Sequence, residues 1–178
     1  MKIVLDSPPP APEWPKTIEL RPFDRRRHKR ALWAADEGAF QDHYGYIPTS
    51  FDSWWDEIDD LGQYQPEHWY IAWDGDEIAG LCLCDLGRED DPDLGWVNEL
   101  SVRRPLAQAG PRAGALLHAL GELYGKGIKK VGLNADSQNL TGAIRLYERA
   151  GMSPVRQFDL YVRELRPARD LRITELSV

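Results

Sequence analysis

Cysteine is nearly absent from this chain: Cys82 and Cys84 are the only two in 178 residues. At i and i+2 they share one face of a strand. They are too close along the chain for an ordinary disulfide and too few for a zinc site. They read as half-buried core cysteines, with a catalytic thiol or redox pair as the alternative. No apolar run approaches the roughly 20 residues of a membrane-spanning helix, so no membrane partner is expected. Residues 1–10 carry no apolar stretch ahead of their prolines; no secretory leader is expected, and the expected compartment is cytoplasmic. Cations are in the minority, with 22 Lys and Arg against 29 Asp and Glu and a formal net charge of −7. That balance argues against nucleic acid as the main partner and suits a cationic or amine ligand. Internal repeats and domain linkers are also missing, and the length fits one domain with a sizeable core.

What is present is organised around residues 96–152. Trp96, Asn98, Leu100 and Val102 alternate with Val97, Glu99 and Ser101, which is strand period. A loop spans 103–111. Leu116, Leu117, Leu120, Leu123 and Tyr124 then form one helical stripe over 112–124, stopped by Gly125 and Gly127. A β-rich run covers 128–133. Ala143, Leu146, Tyr147 and Ala150 make a second helical stripe over 139–150, ended by Gly151. Two strands joined by a helical crossover are a βαβ unit, expected to be right-handed within one sheet.

Asn139, Ala143, Tyr147, Gly151 and Met152 follow the spacing Asn-x-x-x-Ala-x-x-x-Tyr-x-x-x-Gly-Phe, with Met for Phe. That pattern resembles the last motif of the GNAT N-acetyltransferase superfamily. Leu100, Ser101, Val102, Arg103, Arg104 and Pro105 resemble the GNAT strand that runs into the acetyl-CoA pyrophosphate loop. The two motifs stand in the family's order and spacing, and the resemblance extends over residues 17–164. It implies an α/β fold of mixed α+β type, a sheet of about six to seven strands flanked by about four helices. It also implies acetyl-CoA as co-substrate, a small-molecule amine as acceptor, and direct attack in a ternary complex. Many members dimerise, so a homodimer is a possible assembly.

The remaining elements fit around that unit. Residues 1–16 are proline-rich and read as an extended tail, mobile or laid on the surface. Residues 17–165 are the expected GNAT domain, and 166–178 an extension. Residues 17–21 alternate as a first strand, closed by Pro22, and Asp24 is a good N-cap. The basic run at 25–30 reads as a solvated helix face, with a nucleic-acid patch as the alternative. After a loop at 41–48, Ser50 or Asp52 caps a helix containing Trp54, Trp55 and Ile58. Residues 68–73 and 78–84 are strands about an Asp74-Gly75-Asp76 turn. Residues 155–165 alternate and are expected to supply the last one or two strands.

The resemblance also assigns roles. Leu100 and Val102, with Ser101 between them, would pair their backbone with the pantetheine arm, and the Leu100 N–H would polarise the thioester carbonyl. Tyr147 stands where GNAT enzymes place the acid that protonates the CoA thiolate; core packing is the alternative. Asn139 either caps its helix or bonds the pantetheine. Glu99, on the face opposite Leu100, is a candidate general base or one half of an ion pair. In this fold the first two helices and the loop between them cover the acceptor. Asp42, His43, Tyr44, Tyr46 and Trp54 are therefore candidates for the acceptor pocket, and His43 for a second base. The alternative for the aromatic ones is packing.

The phosphate loop departs from the family's Arg/Gln-x-x-Gly-x-Gly/Ala. Gln108 and Ala113 fit its ends, but Pro111 stands where glycine is expected; counted from the strand, Gly110 fits instead. Gln108, Gly110, Arg112, Ala113 and Gly114 are the candidate pyrophosphate contacts. Pro111 has no N–H to donate, and Arg112 can replace it with a charged side chain. Two readings follow: an acyl-CoA-dependent N-acyltransferase, or a GNAT-fold protein with a degenerate CoA loop and a different ligand. No metal site is indicated.

Overall fold

The computed structural model describes residues 1–41, 46–60, 65–87, 91–103, 111–137, 142–159, 161, 163, 165 and 166. Six strands form one sheet in the order β1-β6-β5-β4-β3-β2. In chain order these are β1 (Lys2–Val4), β2 (Ile18–Arg21), β3 (Trp69–Asp74), β4 (Glu77–Leu86), β5 (Leu94–Val102) and β6 (Lys130–Leu133). The helices are α1 (Arg25–Phe40), α2 (Phe51–Asp60), α3 (Pro111–Gly125) and α4 (Ala143–Arg149). All neighbouring strands are antiparallel except β5 and β6, which α3 joins as the crossover of a βαβ unit.

Local chemistry accounts for the element ends. Asp24 caps α1 by accepting from the N–H groups of Arg26 and Arg27. Ser50, rather than Asp52, caps α2: its Oγ accepts from the Ser53 N–H at 3.2 Å. Gly75 turns the β3–β4 hairpin at φ 63°, a conformation an L side chain resists. Pro111 opens α3, where its missing N–H costs nothing to the helix.

The sheet separates two cores. Under α3 and α4 lie Cys82, Cys84, Val97, Leu116, Leu120, Leu123, Val131 and Tyr147. Under α1 and α2 lie Leu32, Trp54, Trp55, Trp69, Ile71, Trp73, Leu81 and Leu83. Cys82 and Cys84 are fully buried and free, with their sulfurs 3.8 Å apart, which agrees with core cysteines. The basic run is absorbed by the second core's rim. Lys29 lies over Trp55 at 4.2 Å, Arg30 over Phe51 at 4.3 Å, and Arg25 bonds Asp59 at 2.6 Å.

Both ends of the chain differ from the sequence reading. Residues 2–4 are not tail: they pair with β6 as an edge strand. Leu5 is buried, Pro9 lies over Gly121, and the Trp14 ring lies on Gly114. The prolines prevent helix but not this extended course across α3. Residues 155–165 supply no strand among the described residues. Ser153 bridges to Lys2, and beyond it Phe158 and Tyr161 are 78% and 89% exposed. The sheet edge at β6 is occupied by β1. Residues 167–178 lie outside the described residues.

Strict alternation along β5 also fails, with consequences for the site. Leu83 faces Glu99 while Cys84 faces Val97, so Asn98 is the extra residue of a β-bulge. Residues opposite one another share a sheet face. Val97 therefore joins Cys84 in the α3 core, whereas Glu99 joins Leu83 on the α1–α2 side. Without the bulge, Val97 and Glu99 would point the same way, and the carboxylate would enter an apolar core.

Candidate active site

β5 is paired with β4 through Val102, but β6 runs beside it only from Leu94 to Val97. Past that point the two parallel strands part, and no strand among the described residues lies along the other edge of residues 99–102. The gap opens into a cavity of about 130 Å³ lined by Glu99, Leu100 and Ser101 of β5, by Leu133 and Asn134 after β6, and by Ala143, Leu146 and Tyr147 of α4. Tyr147 is buried on the inner face of α4, one turn from Ala143.

A second cavity, of about 320 Å³, lies on the other side of Glu99. Its walls are Asp36, Glu37 and Phe40 of α1, Trp54, Glu57 and Ile58 of α2, and Tyr46, Thr49, Trp69 and Leu83. Phe40, Asn98 and Glu99 line both cavities. Glu99 thus stands at the junction of a slot beside an open strand edge and a larger acidic chamber. Tyr147 lines the slot only, and Asp36 the chamber only.

The chamber's electrostatics follow from its construction. Asp36 is 5% exposed, and its Oδ2 accepts from the Trp54 indole N–H at 3.1 Å. Its Oδ1 has no hydrogen-bond partner. Burial and then the nearby Glu37 push its carboxyl from 3.8 up to about 7, against the lowering effect of the Trp54 bond. Burial also holds Glu99 well above the usual carboxylate range, with the charges of Asp36 and Glu57 adding to it. Glu37 is fixed by neutral donors: the Tyr46 hydroxyl at 2.5 Å and the Thr49 N–H at 3.2 Å. Desolvation and that bond push the Tyr46 hydroxyl upward.

The structure brings together Glu99, Leu100, Ser101 and Tyr147, and puts Trp54 and Tyr46 in the chamber wall. Val102 ends the open edge, buried in the sheet. Ala113 lies half-buried in the first turn of α3, and the space above the Gly114 Cα is filled by the Trp14 ring at 3.3 Å. Asp42, His43, Tyr44, Gln108, Gly110 and Asn139 lie outside the described residues, as does the side chain of Arg112. Sequence reasoning missed Asp36, Glu37 and Glu57. A signal existed: Asp36 is four residues past Leu32 and Glu57 three past Trp54, so each carboxylate lies on its helix's apolar stripe. Among the described residues, no group of His, Cys, Asp and Glu is arranged to hold a metal. No described helix is long and apolar enough to cross a membrane.

Comparison with known proteins agrees with this geometry. Residues 25–152 match the model of the Acetyltransferase (GNAT) family. A mycothiol acetyltransferase from Thermobispora bispora is 29% identical over 162 residues, covering 86% of this chain and 52% of that protein. A crystal structure of a GCN5-related N-acetyltransferase from Sphaerobacter thermophilus superposes with a TM-score of 0.71 at 36% identity, covering 85% of this chain and 46% of that one. The chain thus spans about half the length of these two relatives. A diaminobutyrate acetyltransferase from Paenibacillus lautus, crystallised with its substrate and coenzyme A, shares the fold at a TM-score of 0.58 and 15% identity, covering 74% of this chain and 73% of that one. A splayed β5–β6 pair, a bulged central strand with a carboxylate behind it and a matching family model over most of the chain lead to one conclusion: this chain belongs to the GNAT acetyltransferase family.

Proposed function

We propose that the protein is an acyl-CoA-dependent N-acetyltransferase that moves an acetyl group from acetyl-CoA to a small-molecule amine, by direct attack in a ternary complex. The observation that carries this reading is the position of Glu99 at the meeting of the two cavities. The slot beside residues 99–102 suits the pantetheine arm, because an extended chain of amides can pair with an open strand edge. Backbone N–H groups on that edge, Leu100 foremost, would polarise the thioester carbonyl. The first turn of α3, with Ala113 and Gly114, is the end of a helix where a pyrophosphate is favoured. A CoA-bound structure alike in fold supports the same donor.

The acceptor enters from the acidic chamber as an ammonium. Glu99 takes its proton, directly or through water. The raised affinity of Glu99 for a proton makes it a stronger base once ionised, better matched to an ammonium. The amine nitrogen then bonds the thioester carbon, the C–S bond breaks, and the leaving thiolate takes the Tyr147 proton; the second proton shed by the nitrogen restores Tyr147, and Glu99 releases its own to solvent. The net change is ammonium plus acetyl-CoA to amide, free CoA thiol and one proton. A cysteine intermediate has no support, since Cys82 and Cys84 are sealed in the α3 core. A chamber of about 320 Å³ suits a small acceptor.

Calorimetric titration with acetyl-CoA, followed by detection of free thiol on adding amines, tests the reading. Micromolar binding and amine-dependent thiol release are expected. No binding at millimolar acetyl-CoA would overturn it in favour of a GNAT-fold protein with another ligand.

A further inference from the structure

We propose that Phe40 sets the length of the acyl group this site accepts: its ring narrows the passage between slot and chamber to an acetyl group, so that acyl-CoA donors with longer chains are refused. The inference rests on the reading of the slot as the donor site. It goes beyond that reading by naming the residue that selects the donor.

Among the described residues, the two cavities share Phe40, Asn98 and Glu99. Asn98 and Glu99 belong to β5 and form one wall of the passage. Phe40, the last residue of α1, comes from the helical layer and forms the other. The end of α1 crosses from one cavity to the next. Asp36 and Glu37 line only the chamber, Ala39 lines only the slot, and Phe40 lines both. Helical spacing accounts for this. Leu32, Asp36 and Phe40 recur every four residues on one stripe, the first two buried and Phe40 half-buried at the helix end.

The course of the donor brings its acyl end to the same place. A pyrophosphate at the first turn of α3 lies beyond Val102, since α3 is the next element after that residue. The pantetheine arm then runs back along the open edge from Val102 towards Glu99, and the thioester arrives beside the carboxylate. Carbons past the carbonyl continue into the passage. An acetyl group places one methyl there. Propionyl and butyryl groups push further carbons against the Phe40 ring. To pass it, they must enter a chamber lined by Asp36, Glu37, Glu57 and Glu99, where an apolar chain strips water from carboxylates and takes the acceptor's place.

The test is calorimetric binding of free CoA, acetyl-CoA, propionyl-CoA and butyryl-CoA to the full chain, in the parent protein and in Phe40→Trp, Phe40→Leu and Phe40→Ala. Binding is read without an acceptor, so the acceptor's identity does not enter. Free CoA carries no acyl group, and its affinity in each variant reports whether the fold and the pantetheine site are intact. Propionyl-CoA is expected to bind the parent roughly 10- to 200-fold more weakly than acetyl-CoA, the range for one methylene in a close-fitting pocket. That ratio should fall in Phe40→Leu and approach unity in Phe40→Ala. Phe40→Trp should weaken acetyl-CoA itself and leave free CoA unchanged. If Phe40→Ala loses free CoA through misfolding, Phe40→Leu decides by the same ratio. Equal affinities along the series in the parent, or a chain-length penalty that persists when the ring is removed, would overturn the proposal. The two readings are told apart by free CoA. A parent that binds no CoA species refutes the transferase and this inference with it, whereas one that binds all of them alike refutes the role of Phe40 and leaves the donor site standing.

Discussion

Replacing Asp36 by asparagine should stabilise the folded protein, by an amount that grows with pH. The folded state holds this carboxyl at about 7 instead of 3.8, chiefly through burial. Below pH 4 both folded and unfolded chains keep the proton, and the group contributes nothing. Between these two values the unfolded chain ionises while the folded one does not, so folding loses about 1.4 kcal/mol per pH unit. Above pH 7 both states are ionised, and the loss levels off at about 4 kcal/mol as an upper figure. Asparagine cannot ionise, yet its amide oxygen still accepts from the Trp54 indole. Wild type and Asp36→Asn should therefore have similar stabilities at pH 4. At pH 8 the variant should lead by up to about 4 kcal/mol, or roughly 8 to 16 °C in Tm for a chain of this size. Denaturant titrations at each pH unit from 4 to 8 measure the difference directly. A difference that is flat across that range, or that turns against the variant as pH rises, would refute the buried-acid account. The expected outcome is a protein that gains stability on losing one buried carboxyl, because a charge with an unpartnered oxygen is one the fold tolerates poorly.

Other substitutions separate the roles within the site. Tyr147→Phe should lower kcat by about 100-fold while leaving the calorimetric affinity for acetyl-CoA nearly unchanged; an unaltered kcat would remove Tyr147 from the acid role. Glu99→Gln should depress kcat/KM most at low pH, with the deficit shrinking as free amine becomes available; a pH profile parallel to wild type would exclude it as the base. Gly132→Ala tests the packing behind β5: a Cβ there would stand 2.6 Å from the Trp96 ring, so a loss of about 1–3 kcal/mol is expected from overpacking in thermal melts. A neutral result there would mean that Trp96 is free to swing aside.

How much could be read in advance varies along the chain. The βαβ unit was legible because its stripes and glycine stops are local, and the motif spacing tied Tyr147 to the slot. Asp24 and the Asp74–Gly75 turn were legible for the same reason. Glu99 was named as a candidate, but its direction depends on the bulge at Asn98, which is defined only by the register with β4. Asp36 and Glu57 were not singled out, since nothing within α1 or α2 says that their two faces meet over Glu99. The edge strand at Lys2–Val4 was invisible to local reasoning. Three residues ahead of a proline-rich stretch carry no strand signal, and their partner lies at the far end of the domain.

That edge has a bearing on how the molecule assembles itself. β3 and β4 meet through a two-residue turn, and β5 joins them after a short loop, so this half of the sheet can form early from neighbouring segments. Lys2 must find Gly132 across nearly the whole described chain. Closing so large a loop is entropically costly and slow, and the strand that results is only three residues long. β1 should therefore dock after β6 is in place and be the first strand to detach. Amide exchange at residues 2–4 should run ahead of exchange in β4, with an opening energy below that of global unfolding. The order of assembly then runs from the β3–β4 hairpin towards the β1–β6 edge.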